Sequence, residues 1–254
     1  MLMGMVWSHP TRWAIGVGIF ALVVGVGQVW PRPAAPRALT ALRTVDLSHV
    51  VHERVPYLGG EPPTQLLRDG AGQLTQLTLG THTGSFLRVM VAPGAERTTV
   101  ENLSPHDLVL PAIVIDARDQ VQDQPTFALS VADVLAWERT HGLIPPGALV
   151  LLTTGWDMRW GDATAYLHAG ADGLPQVPGF APAAADLLLN QRKVTGLGVD
   201  APAMAYTPAT GLALWLANLT NLEQLPPTGA TIVIGALKLQ AAASSPARVL
   251  ALVP

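Results

Sequence analysis

The chain has 254 residues, 49% of them hydrophobic and 13% charged, with a formal net charge of −3 and no cysteine. That is enough apolar chain for one sizeable core. The charge balance gives no basic stripe for nucleic acid and no acidic solvating tail. The missing cysteines exclude disulfides, a thiolate metal site and a thiol nucleophile.

Taken in chain order, the first feature is Trp13–Trp30, "WAIGVGIFALVVGVGQVW", 18 residues without a charge. This is long enough to span a hydrocarbon core as a helix, and a tryptophan stands at each end as an interfacial anchor does. Residues 1–30 read as one N-terminal hydrophobic helix anchoring the chain in a membrane, with a cleaved signal peptide or a buried core helix as alternatives. Arg12 precedes the run and Arg32 and Arg37 follow it, so the positive-inside rule fixes no orientation. Residues 31–43 form a Pro/Ala-rich linker, which leaves 44–254 as the folded domain.

Within that domain, residues 44–48, 74–79, 85–91, 112–117, 148–155, 194–200, 230–240 and 247–253 have the apolar and β-branched content of strands. "SVADVLAWERTHG", residues 130–142, predicts a helix: Ser130 is placed as N-cap with Asp133 three residues on, and Gly142 stops it. "APAAADLLLNQRK", residues 181–193, predicts a second, with Pro182 in its first turn and Lys193 in its last. The segment "TPATGLALW" reads as a short loop, and Ser244-Ser245 as a hairpin turn. The sum is a mixed α/β domain with more strand than helix.

The order of several phrases then becomes informative. "VDLSHVVHERVPYLGGEPP" is followed by "THTGSFLRVMVAP", "VLLTTGWDMRWGD", "PGFAPAAADLLLNQRKVTGLGVDAP", "LANLTNLEQLPPTGATIVIGALKL" and "SPARVLALVP". This ordered set resembles the cyclase family of metal-dependent hydrolases, which includes kynurenine formamidase (arylformamidase) and isatin hydrolase, over residues 44–254. The resemblance implies a swivelling β/β/α domain, usually assembled as a homodimer, and hydrolysis of aryl formamides or cyclic amides with a divalent metal such as Zn or Mn. The resemblance favours a domain outside the cytoplasm, and with the hydrophobic segment the chain is expected to be membrane-anchored or exported.

The family's central motif, His-x-Gly-Thr-His-x-Asp-x-Pro-x-His, is only begun here. On an extended strand residues 82, 86, 88 and 92 share a face. They are His82, Phe86 in place of the second histidine, Arg88 in place of the aspartate, and Ala92 in place of the last histidine. Ala217 stands where the family's later glutamate does, and "TPATGLALW" carries no histidine. One imidazole is a poor divalent site, and Arg88 opposes a cation, so no cofactor is expected. The implied alternatives are a metal-free protein that binds a small molecule or anion at Arg88, a hydrolase with a relocated metal site, and a structural membrane-associated subunit. Phe86, Arg88, Ala92, Trp156, Trp160 and Ala217 are the expected pocket-lining residues, with His82 the remnant ligand. Arg88 could instead pair with Glu96 or Glu101. His49 and His52, near Asp46 and Glu53, form a further candidate metal cluster. His106, His141 and His168 carry little chemical signal, and Asp200 matches a structural strand-end aspartate.

Overall fold

A computed structural model describes residues 42–57, 61–171, 173–202, 206 and 208–254. The hydrophobic run at 13–30 and most of the linker lie outside them. Among the described residues, no helix is long and apolar enough to cross a membrane.

The elements in chain order are β1 (Arg43–Asp46), β2 (Gln65–Arg68), β3 (Leu74–Thr78), β4 (Phe86–Val91), β5 (Val109–Asp116), α1 (Arg118–Asp123), β6 (Ala128–Leu129), α2 (Val131–His141), β7 (Leu149–Thr153), α3 (Ala163–Leu167), β8 (Gly179–Phe180), α4 (Pro182–Asp186), β9 (Gly196–Val199), β10 (Leu212–Ala217), β11 (Thr228–Ala236) and β12 (Ser244–Val253). The start of α2 follows the sequence: Ser130 and Asp133 form a reciprocal capping box, and Gly142 ends the helix at φ 91°, a conformation glycine adopts without a Cβ penalty. The second expected helix is α4 continued by a π-helical turn, Leu187–Gln191.

The main sheet runs β1-β12-β11-β5-β7-β9-β10-β4, and β12 pairs a second time, with β4. The strands from β12 round to β4 therefore close on themselves, and β1 lies as a flange on β12. The β5-β7-β9-β10 stretch is parallel and the remaining pairings are antiparallel. The fold is thus mixed α/β around a barrel-like sheet.

Alternation along the strands sorts two cores. Leu87 and Val89 of β4, Ala112 and Val114 of β5, Leu149 and Leu151 of β7, Leu214 and Leu216 of β10, Ile232 and Ile234 of β11, and Val249 and Ala251 of β12 pack together on one face. Phe86, Met90, Ile113, Ile115, Val150, Leu152, Leu197 and Trp215 face the other way, against Val134 of α2 and Ala184 and Ala185 of α4. The first set fills the barrel; the second lies under the helices. On β9 the barrel-facing positions are Gly196 and Gly198, where a Cβ would stand 2.4 Å from the Leu214 carbonyl oxygen and 2.6 Å from a Leu151 methyl. The closed ring leaves no room there for a side chain.

The tie between the helices is ionic. Arg192 donates to both oxygens of the buried Glu138 at 2.6 and 2.8 Å, holding the carboxyl below its ordinary range.

Two local readings are corrected. "TPATGLALW" is not simply a loop: from Leu212 it is β10, a barrel strand. Ser244 and Ser245 are not a hairpin turn but the buried start of β12, paired with Arg88 and Leu87. Adjacent serines have turn propensity, but cross-strand pairing that closes the barrel overrides it here.

Candidate functional site

The loop from Gly80 to Ser85 leads into β4 and serves two hydrogen-bonded groups. It is wound tightly by Thr83, whose hydroxyl accepts from the Gly80 N–H at 3.0 Å and whose N–H donates to the Gly80 carbonyl at 3.2 Å.

The first group centres on His82. Its Nδ1 lies 2.5 Å from Glu61 Oε1, its backbone N–H donates to the same oxygen at 3.1 Å, and its Nε2 lies 2.8 Å from Ser244 Oγ. A carboxylate only accepts, so Nδ1 carries the proton, and in the neutral imidazole Nε2 accepts from the serine hydroxyl. The Phe86 ring packs edge-on to the imidazole, with centroids 4.9 Å apart. Gly80 makes room for Glu61: a Cβ there would stand 2.2 Å from Glu61 Oε2. Neither Glu61 nor Ser244 was anticipated as part of this site. Glu61 sits in a Pro/Gly-rich stretch 21 residues before His82, and Ser244 is 162 residues after it.

The second group is buried. Asn218 Nδ2 donates to the Gly84 carbonyl at 2.7 Å, and its Oδ1 accepts from Tyr166 Oη at 3.0 Å. The Ser85 hydroxyl donates to the Asn218 carbonyl at 2.5 Å and accepts from the His49 N–H at 3.0 Å. Asp200 receives the N–H groups of Thr154 and Gly155, each at 2.8 Å, and the Thr154 hydroxyl. Burial nonetheless pushes its carboxyl up to about 7, because desolvation outweighs those donors. Burial also drives the Tyr166 hydroxyl well above its ordinary value. His49 stacks flat on Trp160, with centroids 4.0 Å apart, and desolvation lowers its imidazole to about 4.

The expected pocket-lining positions fall as follows. Phe86 and Ala217 are direct cross-strand partners, as are Arg88 and Trp215. Phe86, Ala217 and Trp215 are buried in the outer core. Arg88 is exposed and makes no hydrogen bond or ion pair among the described residues. Neither proposed acid partner engages it there, and Glu101 instead accepts from the Ala241 N–H at 2.7 Å. Ala92 is buried just beyond β4, its N–H donating to the Gly211 carbonyl. Trp156 is a core residue, 1% exposed, with Nε1 on the Tyr166 carbonyl and Arg159 stacked over its ring. Trp160 is half-buried on His49 and Tyr166.

Asp46 is occupied by Arg248, and His52 Nδ1 accepts from the Arg54 N–H. His49 and His52 therefore do not gather into a cluster with Asp46 and Glu53. His106 stands in a 3-10 turn, His141 packs on Trp137, and His168 ends α3.

A divalent metal does not fit this donor set. Both ring nitrogens of His82 are engaged; it lies in the turn before β4, not on the expected extended strand, and the motif positions that follow on β4 are Phe86, paired with Ala217, and Arg88. Among the described residues, no three His, Cys, Asp or Glu side chains converge as a metal site.

The family model described as "Putative cyclase" matches residues 45–206. The chain belongs to the cyclase family. It is 36% identical over 168 residues to the isatin hydrolase of Roseibium aggregatum, a match covering 61% of this chain and 63% of that protein. The chain thus aligns with less than two thirds of that relative's length. Isatin hydrolase A from Ralstonia solanacearum superposes with a TM-score of 0.77 at 32% identity, over 88% of this chain and all of that one. A protein from Bacillus stearothermophilus described as a "predicted metal-dependent hydrolase" shares the fold, with a TM-score of 0.59 at 21% identity over 84% of this chain and 98% of that one.

Proposed function

We propose that this chain is a cyclase-family protein that has left the family's metal-dependent chemistry, keeping a face on which a small carboxylate-bearing acyl compound binds. The observation that carries the reading is the outer face of β4. In the turn before that strand both His82 nitrogens are hydrogen-bonded, to Glu61 and Ser244; on it Phe86 and Ala217 meet as an apolar pair, and Arg88 stands exposed as a fixed positive charge. A guanidinium is suited to a carboxylate and opposed to a dication. Metal-dependent hydrolysis of isatin-like cyclic amides or aryl formamides is therefore expected to be lost.

The test is elemental analysis of the full-length protein for Zn and Mn, with isatin and N-formylkynurenine hydrolysis measured before and after chelation. Less than a tenth of an equivalent of metal and no chelator-sensitive turnover support the reading. Stoichiometric metal with metal-dependent turnover overturns it and favours an active hydrolase using Zn or Mn. Membrane tethering through residues 13–30 and homodimer assembly belong to the same proposal. Membrane fractionation and light scattering test them.

A further inference from the structure

Glu61, His82 and Ser244 form one line of hydrogen bonds from carboxylate to imidazole to hydroxyl. We propose that this is a metal-independent acyl-transfer site with Ser244 as nucleophile, acting on esters or activated amides whose acyl portion carries a carboxylate. The inference rests on the reading of Arg88 above and adds the chemistry of the same face.

The geometry meets what such a nucleophile needs. Ser244 Oγ is 2.8 Å from His82 Nε2, and Nδ1 on the far side of the ring is 2.5 Å from Glu61 Oε1. A hydroxyl, a base within hydrogen-bond reach and a third group that orients the base define an activated nucleophile regardless of fold or chain order. Glu61 fixes the tautomer that leaves Nε2 free to take a proton, and it faces the imidazolium that results. The second bond from Glu61 Oε1 to the His82 N–H, at 3.1 Å, ties ring and backbone to one oxygen. The edge-on Phe86 ring limits rotation of the imidazole.

The surroundings set the direction of approach. Ser244 is 3% exposed and the His82 side chain 23%. The base thus faces solvent, and the hydroxyl behind it must be uncovered for an acyl group to reach it. Ser244 and Arg88 are direct partners across the β4–β12 pairing, and residues opposite one another in such a pair project to the same side of the sheet. The exposed charge therefore marks the side from which an anionic acyl group approaches.

The steps balance. Ser244 Oγ attacks the carbonyl carbon as its proton passes to His82 Nε2. The tetrahedral intermediate collapses, the bond to the leaving oxygen or nitrogen breaks, and the leaving group takes that proton. Water then attacks the acyl-serine, gives a proton to Nε2, and Ser244 recovers it as the carboxylic acid departs.

The full-length protein, stripped with chelator, is mixed with mono-p-nitrophenyl succinate and, separately, with p-nitrophenyl butyrate. Chelator-insensitive p-nitrophenol release is expected, with the succinyl group mapped by peptide mass to Ser244. A fluorophosphonate should label the same residue. Ser244→Ala should lower turnover at least 100-fold, and Glu61→Gln about 10-fold. Ser245→Ala, in the next position of the strand, should change it less than twofold. Arg88→Gln should raise KM for the succinate ester about tenfold and leave that for the butyrate ester unchanged. Circular dichroism and thermal melts confirm that each variant is folded. A folded wild-type protein acylated by neither reagent at Ser244 overturns the inference and leaves the metal-free reading standing, as does full turnover in Ser244→Ala. Should Ser244→Ala fail to fold, wild-type labelling alone decides. Stoichiometric bound metal overturns the reading beneath both.

Discussion

The loop Gly80–Ser85 feeds two polar groups that differ in kind. Around Asn218, side chains close largely on backbone: the Gly84 carbonyl, the Asn218 carbonyl and the N–H groups of Thr154 and Gly155 take most of the bonds. Around His82, side chain meets side chain, the imidazole is partly open to solvent, and an exposed arginine stands opposite the serine. The first arrangement fixes chain path and offers little to a ligand. The second leaves a base and a hydroxyl in register, with the base partly open to solvent and the hydroxyl buried beside it. Hydrogen bonding alone therefore does not mark a functional site; what matters is whether the bonds end on groups that can change partners.

The contrast can be broken at Asn218. Asn218→Ala strands the Gly84 carbonyl in the interior, leaves the Tyr166 hydroxyl only its long 3.4 Å bond to the Asp200 carbonyl, and places alanine at φ 54°. One orphaned buried carbonyl, one weakened hydroxyl and a left-handed residue should together cost about 4 kcal/mol in urea unfolding.

Next in size is a pH effect at Asp200. Its carboxyl lies near 7 in the folded protein against an ordinary 3.8, so the native state keeps a proton that the unfolded chain releases. The contribution is full below about pH 4 and is lost as pH rises through 7, with a ceiling of about 4 kcal/mol. Asp200→Asn should flatten that part of the stability profile. His49, lowered to about 4, acts oppositely: its contribution is present above its ordinary value and is lost as pH falls through 4.

Gly80→Ala sharpens the other side of the comparison. A Cβ colliding with Glu61 Oε2 should displace the carboxylate, costing about 1–2 kcal/mol as local overpacking. Mono-p-nitrophenyl succinate turnover should drop about 10-fold. Arg88→Gln should shift the thermal midpoint least, within about 0.5 kcal/mol, because an exposed residue without partners contributes little to stability. Its effect belongs to binding.

Much of the architecture was legible. Leu149–Thr153 and the apolar stretch of β5 announce buried strands, and Ser130, Asp133 and Gly142 bracket α2 as their capping chemistry requires. β10 was harder to read because Pro208 and Gly211 stand within four residues before Leu212 and suggest a turn, while the strand character comes from neighbours on both sides. At the site, the strand period put Phe86 and Arg88 on one face of β4, but His82 lies in the turn before the strand, where that period does not apply. Exposure of Arg88 beside buried Phe86 and Met90 could not be read, since a period of two assigns a face but not how far a long side chain extends. Glu61 and Ser244 were invisible to spacing: one lies in a loop and the other looks like a turn, and only barrel closure brings them to His82.

That closure sets the order of events in folding. The pairing of Ser244–Pro246 with Phe86–Arg88 joins segments some 160 residues apart, whereas neighbouring strands such as β11 and β12 meet locally. Distant contacts form after local ones because the intervening chain must first be ordered. The Glu61–His82–Ser244 line is thus assembled with the last seam of the barrel, and a partly folded chain with its helices in place would still lack it. Chemistry at Ser244 would then serve as a clock for closure of the barrel.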